Sequence, residues 1–525
     1  MAPFDGLPSR SENAQSGWSY LPIGGSGDSS SVATGTIDQL FRETASRWPA
    51  WDAIRWLEGD TVRAVSWDEL FVRSTAVGRA IRHREPRNRR VGIAGRDRVQ
   101  WILAMYGAAR AGCSIVPLPV RDTPDGVAAR CDHADLDLIV SVGGTSFADK
   151  VPASVKVVDV AELEAEGGSM TGDPEGAAAD DPFLLQFTSG TTGRPKIAVL
   201  THRAVLGAAQ HYMAAAGADD GTTMFNPLPL DHIGGSVGAV ICSLCIGGAY
   251  VAVDKLDPAT IVRTIRLVRP SMVGLVPTMV LDILALDGVT AEDFESVETM
   301  IGGASSVEPA MIDSIEDRLG IRFVVAYGQS EAPVMTISAR DDPLYERTRT
   351  LGRPLPGRDY CVVDGDRVVA EGDVGELCVR GPLIMAGYLR DNGTIEPAYD
   401  ENGWMRTGDL CSMSNGVVKF HSRLRDVVVR GGENLYPAEI ESVLAGCEGV
   451  QEVAVFGIPD ERLGECAVAA VRVSVGSPLT ESELAAFAES KLPRRMRPTR
   501  WFMVDDFPRT ATGKIRKAEL SARLT

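Results

Sequence analysis

Between residues 90 and 142 short apolar runs alternate with stretches of helical spacing, and this alternation limits the possible fold more than any other feature. Val91-Gly-Ile-Ala94 precedes a helical pattern around 98–111 that carries Trp101, Ile102, Met105 and Tyr106. Ser114-Ile-Val-Pro-Leu-Pro-Val120 and Leu138-Ile-Val-Ser-Val142 read as further strands. Strands alternating with helices predict an α/β chain whose layers contain largely parallel sheet. Ordered structure is expected from Thr36, because Ile37, Leu40, Phe41 and Ala45 then recur at helical spacing. Residues 1–35, centred on Gly24-Gly-Ser-Gly-Asp-Ser-Ser-Ser31, read as a flexible lead-in.

The texture changes near Asp409. Gly403-Trp-Met-Arg-Thr-Gly-Asp409 is turn-rich and is followed by a short strand, Val417-Val-Lys-Phe420, and a charged link at 422–426. Pro437 then opens a helix with Ile440, Val443 and Leu444 on one face. Strands at 452–456 and 467–473, a helix around 481–491 and a strand at 500–504 follow. The length of 525 residues accommodates two to four domains. The expected division is a large domain of layered sheets and helices over 36–422 and a small, mobile α+β domain over 423–525, with the hinge at its start.

Charge narrows the partners. Lys and Arg number 53 against 71 Asp and Glu, a net charge of −18, which would repel nucleic acids and anionic membranes on average. One cluster runs against that balance, Arg82-His-Arg-Glu-Pro-Arg-Asn-Arg-Arg90. It reads as a solvated loop before the strand at Val91, with docking of an acidic partner or a phosphate tail as the alternative. The nine cysteines are odd in number and irregularly spaced, which suits reduced thiols and a cytoplasmic location, and the first thirty residues contain no signal-peptide pattern. Cys242 and Cys245 form a C-x-x-C inside a wholly apolar run with no second ligand pair nearby, so a buried, inert pair is expected rather than a redox or zinc site. From Ile233 to Val253 the chain has 21 uncharged residues, long enough to span a bilayer. Five of them are glycines and Gly247-Gly248 divides the stretch, so a buried helix followed by a strand at 250–253 is expected instead.

The strongest chemical signal is Phe187-Thr-Ser-Gly-Thr-Thr-Gly-Arg-Pro-Lys196, flanked by the apolar Leu184-Leu-Gln186 and Ile197-Ala-Val-Leu200. Hydroxyl and glycine residues between two strands make a loop of closely spaced N–H groups and free hydroxyls, able to wrap a polyphosphate. Lys196 adds a cation, whose contact with a phosphate at about 4 Å contributes about 4 kcal/mol before desolvation at an effective dielectric near 20. The loop is not a Walker motif, since Pro195 precedes the lysine and Ile197 follows it.

Six further segments accompany the loop. They are Tyr327-Gly-Gln-Ser-Glu331, Gly375-Glu-Leu-Cys-Val-Arg-Gly-Pro382, Gly403–Asp409, Arg423-Leu-Arg-Asp426, Gly431-Gly-Glu-Asn-Leu-Tyr-Pro437 and Pro508-Arg-Thr-Ala-Thr-Gly-Lys514. In order and spacing the seven resemble the signature of the acyl-adenylate-forming superfamily, over about residues 36–525. That superfamily includes acyl-CoA synthetases, luciferases and the adenylation domains of peptide synthetases. The resemblance implies that ATP and a carboxylate form an acyl-adenylate and pyrophosphate, after which a thiol takes the acyl group.

It also implies roles for single residues. Thr188, Ser189, Gly190, Thr191, Thr192, Gly193 and Lys196 would hold the β- and γ-phosphates, and Glu331 would bind Mg²⁺ as a hard oxygen ligand. Tyr327 would stack on adenine, within Tyr327, Gly328, Gln329 and Ser330, and Gly302, Gly303 and Ala304 would wall the other side of the ring. Ser330 replaces the family's usual threonine and keeps the hydroxyl. Asp409 would accept both ribose hydroxyls, helped by Arg423. Lys514 would bridge the carboxylate and the α-phosphate during adenylation. Arg425 falls at the hinge, and Gly431 and Gly432 would line the pantetheine tunnel after rotation. Ser422 stands where the family usually has glycine, a replacement that bears on the rotation.

His232, in Pro229-Leu-Asp-His-Ile-Gly-Gly235, matches the histidine near the acid's carboxyl group. Relatives that activate amino acids follow it with an aspartate, where this chain has Ile233, so an α-amino acid is not expected. Gly234, Gly235, Gly238, Gly302, Gly303 and Ala304 are small, which favours a bulky or extended apolar acid. Coenzyme A is the expected acceptor, because the resemblance lacks the inserted segment that blocks it in long-chain acyl-AMP ligases. The alternatives are an acyl-AMP ligase that loads a carrier protein's phosphopantetheine, a luciferase-like oxidation, and a nucleotide-binding protein that has lost catalysis.

Overall fold

The computed structural model describes residues 20–21, 35–119, 122–144, 150–174, 176–188, 195–303, 309–474, 476–509 and 514–524. The chain is a mixed α/β structure. An eight-stranded sheet has the order Ile395–Glu396, Gly387–Leu389, Lys196–Thr201, Pro182–Thr188, Ser114–Leu118, Arg90–Gly95, Leu138–Val142, Lys156–Asp159. From Pro182–Thr188 onward its strands are parallel, while Lys196–Thr201 and Gly387–Leu389 close one end antiparallel. Ser114–Leu118 and Leu138–Val142 are buried throughout, which explains their continuous apolar sequence.

A nine-stranded sheet carries the parallel series Arg322–Gln329, Thr299–Gly303, Met272–Gly274, Met224–Phe225, Tyr250–Val251 and Asp52–Glu58, with antiparallel strands at both edges. Helices Ile37–Arg47, Trp67–His83 and Arg98–Arg110 pack on one another through Phe41, whose ring stacks on Tyr106 at 4.3 Å and meets Trp67 edge-on at 6.0 Å. Thr36 starts the first of these helices. Its hydroxyl accepts from the Gln39 N–H and its own N–H donates to the Gln39 side chain, a reciprocal cap that stabilises by about 1 kcal/mol.

The third sheet is antiparallel and has the order Tyr20–Leu21, Asp359–Asp364, Gly375–Arg380, Met405–Ser414, Val417–Arg423. Two residues of the lead-in thus add a strand to it, against Cys361 and Tyr360. Its last strand runs past Phe420, because Ser422 and Arg423 still pair with Leu410 and Asp409. The 3₁₀ turn Leu424–Asp426 is the first segment outside the ladder. Ser422 is buried and its φ is not positive, so a serine fits the backbone as it stands.

A separate five-stranded sheet follows, Glu433–Leu435, Val428–Arg430, Gly464–Val473 and Val450–Asp460, with Trp501–Met503 parallel to Gly464–Val473. Helices Pro437–Leu444 and Glu481–Lys491 bury Ile440, Leu444, Leu484 and Ala488 against it. The long hairpin exceeds the expected strands because backbone pairing continues over polar residues such as Glu465 and Asp460.

The uncharged stretch resolves into Ile233–Gly235, a π-helical turn Ser236–Ile241, the helix Cys242–Cys245 and the strand Tyr250–Val251. Among the described residues no helix is long and apolar enough to cross a membrane. All nine cysteines are free, and burial pushes the Cys245 thiol up to about 12, which leaves it unreactive at neutral pH. The basic cluster lies against the chain's own acids: Arg84 pairs with Glu166 at 2.5 Å, Arg87 with Asp135 at 2.8 Å, and Arg90 donates to the Ala134 carbonyl.

Candidate active site

One cleft of about 2900 Å³ opens between the large body and the small sheet. It is lined by Thr188, Lys196, His232, Gly302, Gly303, Tyr327, Gly328, Gln329, Ser330, Glu331, Asp409, Arg423 and Lys514, so residues expected from seven separate stretches of sequence meet in one place. Ser189, Gly190, Thr191, Thr192, Gly193 and Ala304 lie outside the described residues. Gly431 and Gly432 are not in the lining. They form the exposed turn between Val428–Arg430 and Glu433–Leu435, where φ values of 59° and 84° require glycine.

The phosphate loop is anchored at both ends. Thr188 and Lys196 face each other as an antiparallel pair, and both line the cleft. Glu331 and Ser330 form the turn between Arg322–Gln329 and Ala332–Ile337, and the Glu331 carbonyl accepts the Met385 N–H at 2.8 Å. Tyr388 donates its hydroxyl to Glu331 Oε1 at 2.9 Å, and Lys196 Nζ lies 4.8 Å from the centre of the same ring. Nothing in its sequence neighbourhood singled out Tyr388; the signal is the strand pairing that sets Tyr388 opposite Ala198.

Asp409 is buried and accepts the Tyr327 hydroxyl on Oδ2 at 2.5 Å, while Arg423 Nε lies 3.7 Å from Oδ1. Burial raises its pKa, and Tyr327 and Arg423 oppose that rise. Glu376 accepts the Gly408 N–H and so fixes the turn that presents Asp409.

His232 Nδ1 accepts the Gly234 N–H at 3.1 Å, which leaves Nε2 to carry the proton. Burial, and then the Lys514 charge, push its pKa down to about 4, so the ring is neutral near pH 7. Three residues to which the sequence reading gave no role hold this loop. Asn226 bonds Leu228 N–H and the Gly234 carbonyl, Gln186 donates to the Asp231 carbonyl, and buried Arg98 donates to the carbonyls of Leu228 and Pro227.

Lys514 enters from the small unit. Arg509 and Ile515 bridge across the residues that precede it, and Arg516 N–H donates to the Pro508 carbonyl at 2.7 Å. Glu452 grips Arg509 through both carboxylate oxygens and also meets Arg472 at 3.4 Å. Burial and the nearby Arg423 push the Lys514 ammonium down to about 8, against the pull of Asp409 and Glu331. Across the same junction His421 links Ser412 Oγ at 2.9 Å to Glu439 at 2.8 Å, the last of these on the small unit's first helix.

The glycines of the acid side divide. A Cβ on Gly302 would stand 2.1 Å from the Phe323 ring, one on Gly303 2.1 Å from the Ala326 carbonyl oxygen, and one on Gly235 2.3 Å from the Pro229 carbonyl oxygen. Glycine there serves packing rather than room for a substrate. A Cβ on Gly238 would meet only the Ile233 carbonyl oxygen, 3.7 Å away.

Among the described residues no cluster of three His, Cys, Asp or Glu could cage a metal. Glu331, one hard carboxylate in a cleft with Lys196, fits Mg²⁺ that brings phosphate and water ligands with it.

A two-part α/β molecule whose small unit brings a lysine into a large cleft lined by carboxylates is the architecture of the AMP-binding enzymes. The chain belongs to the AMP-binding enzyme family, whose model matches residues 41–389 and whose C-terminal domain model matches residues 439–514, and it is an AMP-forming acid–thiol ligase. It is 29% identical to a putative acyl-CoA synthetase, YngI, of Bacillus subtilis over 92% of this chain and 96% of that protein. A 3-(7a-methyl-1,5-dioxo-octahydro-1H-inden-4-yl)propanoyl:CoA ligase of Rhodococcus jostii is 31% identical over 81% of this chain and 87% of its own. Among solved structures, ATP-bound MatB from Rhodopseudomonas palustris superposes with a TM-score of 0.83 at 25% identity, covering 93% of this chain and 98% of that one.

Proposed function

We propose that the chain is an ATP-dependent carboxylic acid–CoA ligase. An acid's carboxylate attacks the α-phosphorus of ATP, giving acyl-AMP and pyrophosphate; the CoA sulfur then attacks the acyl carbon, giving the thioester and AMP. The observation that carries this reading is the placement of Lys514, whose ammonium shares the cleft with His232, Glu331 and Asp409 and interacts electrostatically with all three. In this pose Lys514 offsets the charge that builds between carboxylate and α-phosphate. Thr188 and Lys196 hold the outer phosphates, and Asp409, oriented by Tyr327, accepts the ribose hydroxyls. Glu331 holds Mg²⁺, which when bound neutralises phosphate charge. Neutral His232 presents Nε2–H to the acid's carboxylate.

For the thiol step the small unit, residues 423–525, rotates against 36–422 about the turn that holds Arg425, and Gly431 and Gly432 come to the cleft. The acid is apolar and is not an α-amino acid. Ile233 offers no carboxylate to an ammonium, and the apolar Tyr212, Val237, Gly238 and Val334 line the same cleft as His232. The similarity to a ligase acting on a bicyclic propanoate supports placing polycyclic propanoates in the test panel. The experiment is pyrophosphate release from ATP and Mg²⁺ with aryl, fatty and polycyclic acids, with and without CoA. CoA-driven turnover with thioester accumulating is expected; a stoichiometric burst unaffected by CoA would transfer the reading to a carrier-protein acceptor.

A further inference from the structure

The phosphate lysine and the metal-facing carboxylate carry opposite charges in one cleft, and free side chains of that kind tend to pair with each other. They do not: among the described residues Lys196 makes no ion pair, and Glu331 makes none either. Tyr388 stands between them. Its hydroxyl occupies one lone pair of Glu331 Oε1 at 2.9 Å, and its ring face takes the Lys196 ammonium at 4.8 Å. Both contacts are fixed by backbone. Gly387–Leu389 pairs antiparallel with the strand that begins at Lys196, with Tyr388 opposite Ala198, and the same segment's Met385 N–H holds the Glu331 carbonyl.

We propose that Tyr388 is a positioning residue that keeps Lys196 and Glu331 apart and pre-oriented, leaving the second carboxylate oxygen for the divalent cation and the ammonium for phosphate. Without the spacer the two side chains would neutralise each other, and the incoming nucleotide would have to break that pair. The proposal rests on the reading of Lys196 and Glu331 given above.

The test separates hydroxyl from ring. Mn²⁺ binding in the presence of a non-hydrolysable ATP analogue is followed by electron paramagnetic resonance, and metal-free binding of a fluorescent ATP analogue is measured alongside. Tyr388→Phe is expected to weaken Mn²⁺ binding by about tenfold, since partners of a metal ligand commonly contribute that much, with metal-free nucleotide affinity unchanged. Tyr388→Leu is expected to lose in addition about threefold in metal-free affinity as the ring contact disappears. In a Glu331→Gln background the Tyr388→Phe effect on Mn²⁺ is expected to vanish, which no general loss of stability would produce. Unchanged Mn²⁺ binding in Tyr388→Phe, or an effect that survives in Glu331→Gln, overturns the proposal while leaving the functional reading intact. If Glu331→Gln by itself leaves Mn²⁺ binding untouched, the reading of Glu331 fails, and the role of Tyr388 falls with it.

Discussion

Lys514 concentrates the chemistry at the scale of single residues. Its replacement by alanine is expected to lower the adenylation rate by about 10²-fold or more, while thioester formation from supplied acyl-AMP persists. Equal loss of both half-reactions would remove it from that role. Its depressed pKa adds a pH signature. The cation is the working form, so kcat/KM for adenylation, which reports the free enzyme, is expected to fall as pH rises through about 8. His232, already neutral above about 4, adds no change between pH 5 and 7. A pH profile flat to pH 9.5 would sink the assignment.

Elements explain which parts of this site could be read from sequence. Strands such as Leu138–Val142 announce themselves because a continuous apolar run and full burial coincide, and helices such as Glu481–Lys491 because the residues they bury, here Leu484 and Ala488, recur at helical spacing. Asp409, Lys514 and Glu331 were singled out only because their runs resemble the superfamily's signature, and the structure brings the three to one cleft. Tyr388, Arg98 and His421 were not. Each acts on a partner that only strand register or helix packing brings near: Glu331 and Lys196 for Tyr388, the carbonyls of Pro227 and Leu228 for Arg98, and Ser412 and Glu439 for His421. Gly302 was legible as a small residue and misread as room, since only the packing of Phe323 reveals what fills the space. Gly302→Ala is accordingly expected to lower stability by about 1–3 kcal/mol through overpacking, as measured by thermal or denaturant unfolding. Gly238→Ala, facing open cleft, is expected to leave stability within about 0.5 kcal/mol and to shift preference towards smaller acids in the same panel.

For the molecule as a whole, the His421–Glu439 hydrogen bond joins the large body to the small unit in the pose that seats Lys514. His421→Phe is expected to depopulate that pose, lowering adenylation by about tenfold, the worth of a hydrogen bond to a charged partner. Transfer from supplied acyl-AMP should be unaffected, and fluorescence energy transfer between labels on the two units should report the opening; unaltered transfer efficiency would dissociate the bond from closure. A broader consequence follows from where the cations stand. Lys196 belongs to a strand of the large body, whereas Lys514 rides on the unit that moves. Swinging that unit away therefore strips one positive charge from around the departing pyrophosphate, and by linkage the anion and the closed pose must strengthen each other by the same factor. Product escape and domain motion are then two readings of one equilibrium, and added pyrophosphate should hold the enzyme shut as well as inhibit it.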